Sequence, residues 1–204
     1  AMIPCTGAVT VLRYGPQVKY WKRSAKNDHE EVISREEFKQ LVELPPTMER
    51  IDHLSATDLD ALVVDYPLTL CESGIEIVDS PGLNENPQRT RITEQYLKQS
   101  DAVIYVMTVQ QMASLQDRKH VEELVDKIGT DNLFFVINCY DKVAGTSDEE
   151  KVLARAQSFF EKVYEDEIDN WFNERIHFLS ALEVVNHSQN GQSESQYVHD
   201  FQSF

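Results

Sequence analysis

Three short clusters hold the side chains best suited to chemistry: Asp79-Ser-Pro-Gly82, Asn138-Cys-Tyr-Asp141 and Ser180-Ala181. Each follows an apolar run, at residues 75–78, 133–137 and 176–179. A carboxylate at the C-terminal end of a strand lies where open α/β sheets bind ligands. A glycine three residues later presents a bare N–H that a phosphate oxygen can approach closely. Asp79 and Gly82 therefore suit a magnesium shell and a terminal phosphate. Asn138 and Asp141 suit a purine with paired donors. A carboxylate accepts N1–H and the 2-amino group of guanine together, and adenine offers no such pair. The Asn138 amide can donate and accept, at O6 or N7, and Ser180-Ala181 can offer a backbone N–H to the same base. Structural readings compete: a Pro-Gly turn for 79–82, and an Asx-bonded strand-end turn for 138–141. Ser180 taken alone carries no functional signal. Coincidence is the stronger argument, because in a parallel sheet all three clusters emerge at one edge.

The elements that must position them follow from periodicity. Residues 8–14 read as a strand stopped by Gly15-Pro16. Ser34 and Glu37 form a capping box for a short helix with Phe38, Leu41 and Val42 on one face, ended by Pro45-Pro46. Residues 47–62 read as helical or irregular and loosely packed, and 68–78 as a hairpin turning at Ser73-Gly74. Asn86-Pro87 opens a helix with Ile92, Tyr96 and Leu97 on its inner face. Residues 101–109 form a strand buried on both faces. Ser114 and Asp117 cap the next helix, which carries Val121, Leu124, Val125 and Ile128 and stops at Gly129. A strand at 133–137, a helix opened by Ser147 with Phe159 and Phe160 inward, and a strand at 176–179 follow. Residues 186–204 read as loop. Strands alternating with helices from the hairpin onward imply a largely parallel sheet covered on both faces.

At 204 residues, with 41% hydrophobic and 26% charged residues, the chain fits one globular domain. A formal charge of −16 argues against a generic nucleic-acid or anionic-membrane surface. The Lys19-Tyr20-Trp21-Lys22-Arg23 cluster reads as a solvated strand end or turn. Cys5, Cys71 and Cys139 lack metal-ligand spacing and fit reduced thiols in a cytosolic protein. No apolar run approaches the ~18 residues of a membrane span, and the start does not read as a signal peptide.

The segment FFVINCYDKV, with VDSPGL before it and FLSAL after it, resembles the GTPase domain of the dynamin superfamily, in particular the bacterial dynamin-like proteins. The resemblance runs from about Pro4 to Leu182, and IPCTGAVTVLRYG resembles the first switch segment. It implies an α/β fold, a three-layer P-loop-GTPase-like sheet flanked by helices. It also implies that Thr6 holds magnesium and orients the attacking water, and that Asp79 binds magnesium through water. Gly82 would sense the γ-phosphate, residues 83–97 would form the second switch, and Asn138, Asp141 and Lys142 would select guanine, with Ser180 and Ala181 beside the base. The implied cofactors are GTP or GDP and Mg2+. The implied partner is a second copy through the GTPase domain, with membrane contact only through segments outside this chain. No nucleic-acid partner is implied, and the expected location is cytoplasmic or peripheral to a membrane.

The sequence departs from that family in one respect: it contains no Gly-x-x-x-x-Gly-Lys-Ser/Thr. Without that loop the electrostatic core of phosphoryl transfer is missing. The chain as given is therefore expected not to hydrolyse GTP. It reads as a truncated domain, 1–185, lacking its first strand, phosphate loop and first helix, with 186–204 a polar tail leading toward a missing final helix. A pseudo-GTPase acting as an interaction module is the alternative, and a receiver-type domain fits the motif order poorly. The missing strand would leave apolar edges on the strands at 75–78 and 101–109, expected to close by pairing with each other or with a neighbouring chain.

Overall fold

Alternating apolar residues in VTVLRY put Val9 and Val11 inward and make Val9–Tyr14 (β1) an interior strand. The computed structural model describes residues 8–24, 27, 29–42, 59–80, 87–163 and 174–190. The chain divides into two units, residues 1–99 and 100–204. In the first, β1 joins Lys19–Ser24 (β2), Glu30–Ile33 (β3), Leu59–Tyr66 (β4) and Ile77–Asp79 (β5) in a sheet ordered β3-β2-β4-β1-β5. The β1–β4 pair is parallel and the other pairs are antiparallel.

Register sets the two faces of this sheet. Val9, Val11 and Arg13 stand opposite Ala61, Val63 and Asp65, and Trp21 stands opposite Val63. Val9, Val11, Ala61 and Val63 form a buried cluster, packed by Trp21, Val78 and Tyr96. Tyr96 comes from the helix Pro87–Gln99 (α2). On β2, Tyr20 alternates with Trp21 and packs its ring 4.9 Å from Phe38 of the helix Arg35–Val42 (α1). α1 opens as the sequence implies, with the Glu37 N–H donating to Ser34 Oγ at 3.1 Å. At the end of β1 the Gly15 N–H donates to the Tyr66 carbonyl at 3.1 Å. A Cβ on Gly15 would lie 2.5 Å from Asp65 Cβ, so only glycine fits there without displacing its neighbour.

Three readings of this half need correction. Residues 59–62, read as loosely packed, belong to β4, where Ala61, Leu62 and Val63 are fully buried. The basic cluster at 19–23 lies in the strand β2 itself, with Lys22 and Arg23 paired to Glu31 and Glu30 of β3. The supposed hairpin strand at 68–72 is instead a 3-10 turn, Thr69–Cys71, and β5 pairs with β1. The turn signal is real, and Gly74 has φ +90, but the long-range pairing with β1 prevails.

The second unit has the periodicity that the sequence announces. Val103–Thr108 (β6), Leu133–Asn138 (β7) and Ile176–Phe178 (β8) form a parallel sheet ordered β6-β7-β8. The helices Leu115–Ile128 (α3) and Glu149–Val163 (α4) contribute its core. Phe135 of β7 meets Phe160 of α4 at 4.7 Å and Tyr105 of β6 at 6.1 Å between ring centroids. Val121 and Leu124 of α3 are buried. The Ser114–Asp117 capping box closes in both directions, and Gly129 ends α3 at φ 76.

β6 is not covered on both faces. Met107 is 6% exposed, whereas Ile104 and Val106 are 51% and 60% exposed. The helix contacts fall on the Tyr105 side: Tyr105 Oη donates to Asp117 of α3. The expected single sheet is divided as well. Among the described residues β5 pairs with β1 and β6 with β7. Residues 186–190, read as loop, are helical within Ala181–Asn190 (α5), and 191–204 lie outside the described residues.

Candidate functional site

β7 ends at Asn138, in register with Thr108 of β6, and the Val109 N–H donates to the Asn138 carbonyl at 3.1 Å. The chain then turns sharply. Cys139 takes the left-handed conformation, φ 64 and ψ 30, before the 3-10 turn Tyr140–Lys142. Two neighbouring loops are joined at this point. Asn138 Oδ1 accepts from the Cys139 N–H at 2.8 Å and from the Ala181 N–H at 3.0 Å. The Tyr140 N–H donates to the Leu179 carbonyl at 3.1 Å, and the Leu179 N–H to the Ile137 carbonyl at 3.1 Å. The Asn138–Lys142 loop and the Ser180-Ala181 loop thus share one rim, as expected for consecutive parallel strands.

Ser180 and Tyr140 have structural roles on this rim. Ser180 is 1% exposed and caps α5: its carbonyl accepts from the Val184 N–H at 3.1 Å, and its Oγ accepts from the Glu183 N–H at 3.4 Å. Tyr140 Oη donates to Glu149 Oε1 at 2.6 Å, and the Gly145 N–H donates to Glu149 Oε2 at 2.7 Å. Those two bonds close the 140–149 loop onto the start of α4. The Tyr140 hydroxyl, followed by the Gly145 N–H, holds the Glu149 carboxyl below the usual carboxylate range. Asp141 is half-buried and Lys142 exposed. Among the described residues, the Asp141 carboxylate and the Asn138 amide nitrogen make no hydrogen bond.

The other predicted site residues belong to the five-stranded unit. Asp79 ends β5 opposite Thr10, with its side chain exposed. An exposed carboxylate at a strand end is the kind of oxygen donor that magnesium takes directly or through water. Thr6, Gly82 and the start of the proposed second switch lie outside the described residues. The rest of that segment, residues 87–97, lies in the helix α2. Its Tyr96 hydroxyl donates to Asp60 Oδ2 at 2.7 Å. Burial and the Asp60 carboxylate push the Tyr96 phenol above its usual range.

Sequence reasoning missed two features of the rim. A left-handed residue is ordinarily glycine or asparagine, so Cys139 gave no signal. The Tyr140–Glu149 bond spans a loop and a helix start, with only Gly145 between them to mark a turn.

Residues 1–139 match the Dynamin family. The bacterial dynamin-like protein of Nostoc punctiforme is 29% identical over 197 residues, which are 89% of this chain and 28% of that protein. Dynamin-like protein A of Bacillus subtilis is 31% identical over 134 residues, 63% of this chain and 11% of that protein. Among solved structures, a chain of an oligomerised bacterial dynamin pair, described as sensing and tethering membranes at long range, aligns with a TM-score of 0.55 at 20% identity. That alignment covers 87% of this chain and 28% of the other, and it speaks to the fold. The chain thus spans less than a third of the length of these relatives. Its α/β sheets flanked by helices agree with the fold of that structure, and its sequence shows the family: this chain belongs to the dynamin family.

Proposed function

We propose that the rim formed by Asn138, Asp141, Lys142, Ser180 and Ala181 selects the guanine base of GTP or GDP. The observation carrying this reading is Asn138 Oδ1, which accepts from both Cys139 and Ala181 and ties the two loops together. Its acceptor oxygen is thereby used, which leaves the amide nitrogen to donate to guanine N7 or O6, both acceptors. The Asp141 carboxylate is left to accept N1–H and the 2-amino group. Lys142 adds an exposed cation beside the base. Asp79 would hold magnesium through water, Thr6 would hold it through its hydroxyl, and the Gly82 N–H would meet the γ-phosphate. Bound magnesium would neutralise charge developing on the phosphates.

Hydrolysis would need a Gly-x-x-x-x-Gly-Lys-Ser/Thr loop supplied from outside these 204 residues, which do not contain that pattern. The same fact favours a second reading of this chain, an interaction module without turnover. Pairing with a second copy across the nucleotide face, and membrane attachment through other segments, complete the proposal. Both draw support from the oligomerised bacterial dynamin pair. Among the described residues no helix is long and apolar enough to cross a membrane.

Asp141→Ala in the full-length protein tests the base reading. Discrimination of GTP over ATP should fall roughly tenfold to a hundredfold, the worth of a lost paired contact. Competition binding with both nucleotides measures it. Unchanged discrimination would remove Asp141 from the site.

A further inference from the structure

The three-stranded unit holds a second concavity, lined by none of the residues assigned above to the nucleotide. A cavity of about 270 Å3 lies between the start of α3 and the second half of α4, lined by Arg118, Arg155, Ser158, Phe159 and Lys162 among others. Residues 155, 158, 159 and 162 recur at helical spacing, which puts both cations and the serine on one face of α4. Phe159 turns inward at 7% exposure and forms an apolar floor. This is an unusual place for positive charge, because the chain carries 19 basic against 35 acidic residues.

The charges of the lining are only partly neutralised in place. Arg118 Nε donates to Glu122 at 2.8 Å, an ion pair along one turn of α3. Among the described residues neither Arg155 nor Lys162 has a carboxylate partner. Among the described residues, Asp117 closes the Ser114 cap and Glu161 accepts from Gln157 at 3.0 Å. Two guanidinium forks, one ammonium and the Ser158 hydroxyl supply more donors than one carboxylate can accept. They match the three terminal oxygens and near-double charge of a phosphomonoester. The floor of Phe159 suits the carbon framework carrying that group.

We infer that the Arg118–Arg155–Lys162 cavity is a binding site for a phosphomonoester, separate from the guanine rim. Two sources supply this chemistry, a soluble phosphorylated metabolite and a lipid headgroup, and they are separable by experiment. In one arm the full chain is titrated calorimetrically with inositol trisphosphate. In the other it is sedimented with phosphatidylcholine vesicles with and without phosphatidic acid. Binding in the first arm assigns a soluble ligand, binding only to phosphatidic acid vesicles assigns a headgroup, and either supports the site. The double variant Arg155→Gln/Lys162→Gln, at exposed positions that folding does not depend on, should weaken it about a hundredfold, about tenfold per cation. Asp141→Ala should leave it unchanged, which separates this test from that of the base reading. Binding in neither arm, or binding that survives the double variant, would overturn the assignment.

Discussion

The two units of this chain hold their strands together by opposite means. In the five-stranded unit one buried cluster is made of small side chains, Val9, Val11, Ala61 and Val63, and directional bonds border it. Arg13 donates through Nε to Asp65 at 2.7 Å and through both terminal nitrogens to Glu30 at 3.0 and 2.8 Å. Glu30 also takes Arg23 at 2.9 Å, and Asp65 takes Trp21 Nε1 at 2.8 Å. One connected set thereby crosses β1, β2, β3 and β4. In the three-stranded unit the work falls to the rings of Phe135, Phe159 and Phe160. Ring packing yields large burial with little angular demand, whereas forked ion pairs fix register but need every partner present. The candidate base-binding rim belongs to the ring-packed unit, where backbone bonds and the Asn138 side chain hold its loops together. Its shape therefore depends on how the parallel strands align more than on any charged contact.

The largest test of this contrast is Phe160→Ala, expected to cost about 4 kcal/mol from the cavity and lost burial. Denaturant unfolding measures it, and the loss should be the same in acid and at neutral pH. Arg13→Ala comes next, at about 3 kcal/mol, because Glu30 and Asp65 stay part-buried without their cation. This cost should shrink on acidification. Arg13 is the first cause holding the Glu30 carboxyl below its usual range, with Arg23 adding to it. The stabilisation is present above the unfolded-state value and disappears as pH falls through the lowered folded-state one. An Arg13→Ala penalty that persists unchanged in acid would erase the distinction between the two units. The smallest effect is expected at Thr93 of α2, 2% exposed, whose hydroxyl has no hydrogen-bond partner among the described residues. Thr93→Val should stabilise by about 1 kcal/mol, read as a rise in Tm.

The same contrast explains what could be read from the sequence. In residues 100–190 the signals are local. Ser114 and Asp117 lie three apart, Val121 and Leu124 share a helix face, and 133–137 is a continuous apolar run, so strands and helices emerged in order. Asn138, Asp141, Ser180 and Ala181 were legible for the same reason, since each follows such a run directly. In the five-stranded unit the deciding contacts are remote. Asp65 looks solvated until Arg13 and Trp21, 52 and 44 residues away, are placed on it. Lys22 and Arg23 look like a turn until Glu31 and Glu30 face them from β3. Strand propensity reflects such cross-strand partners more than the segment itself, which is why β2 and β4 went unread. The exposed side of β6 was hidden for a related reason: an apolar run does not declare how many of its faces have neighbours.

Gly15 carries this dependence one step further. The side chain that binds both Arg13 and Trp21 stands in the volume that any Cβ at position 15 would claim. Positions 15 and 65 therefore behave as a single locus under mutation. An alanine at the first would act as a lesion of the second, loosening strands whose own residues are unaltered.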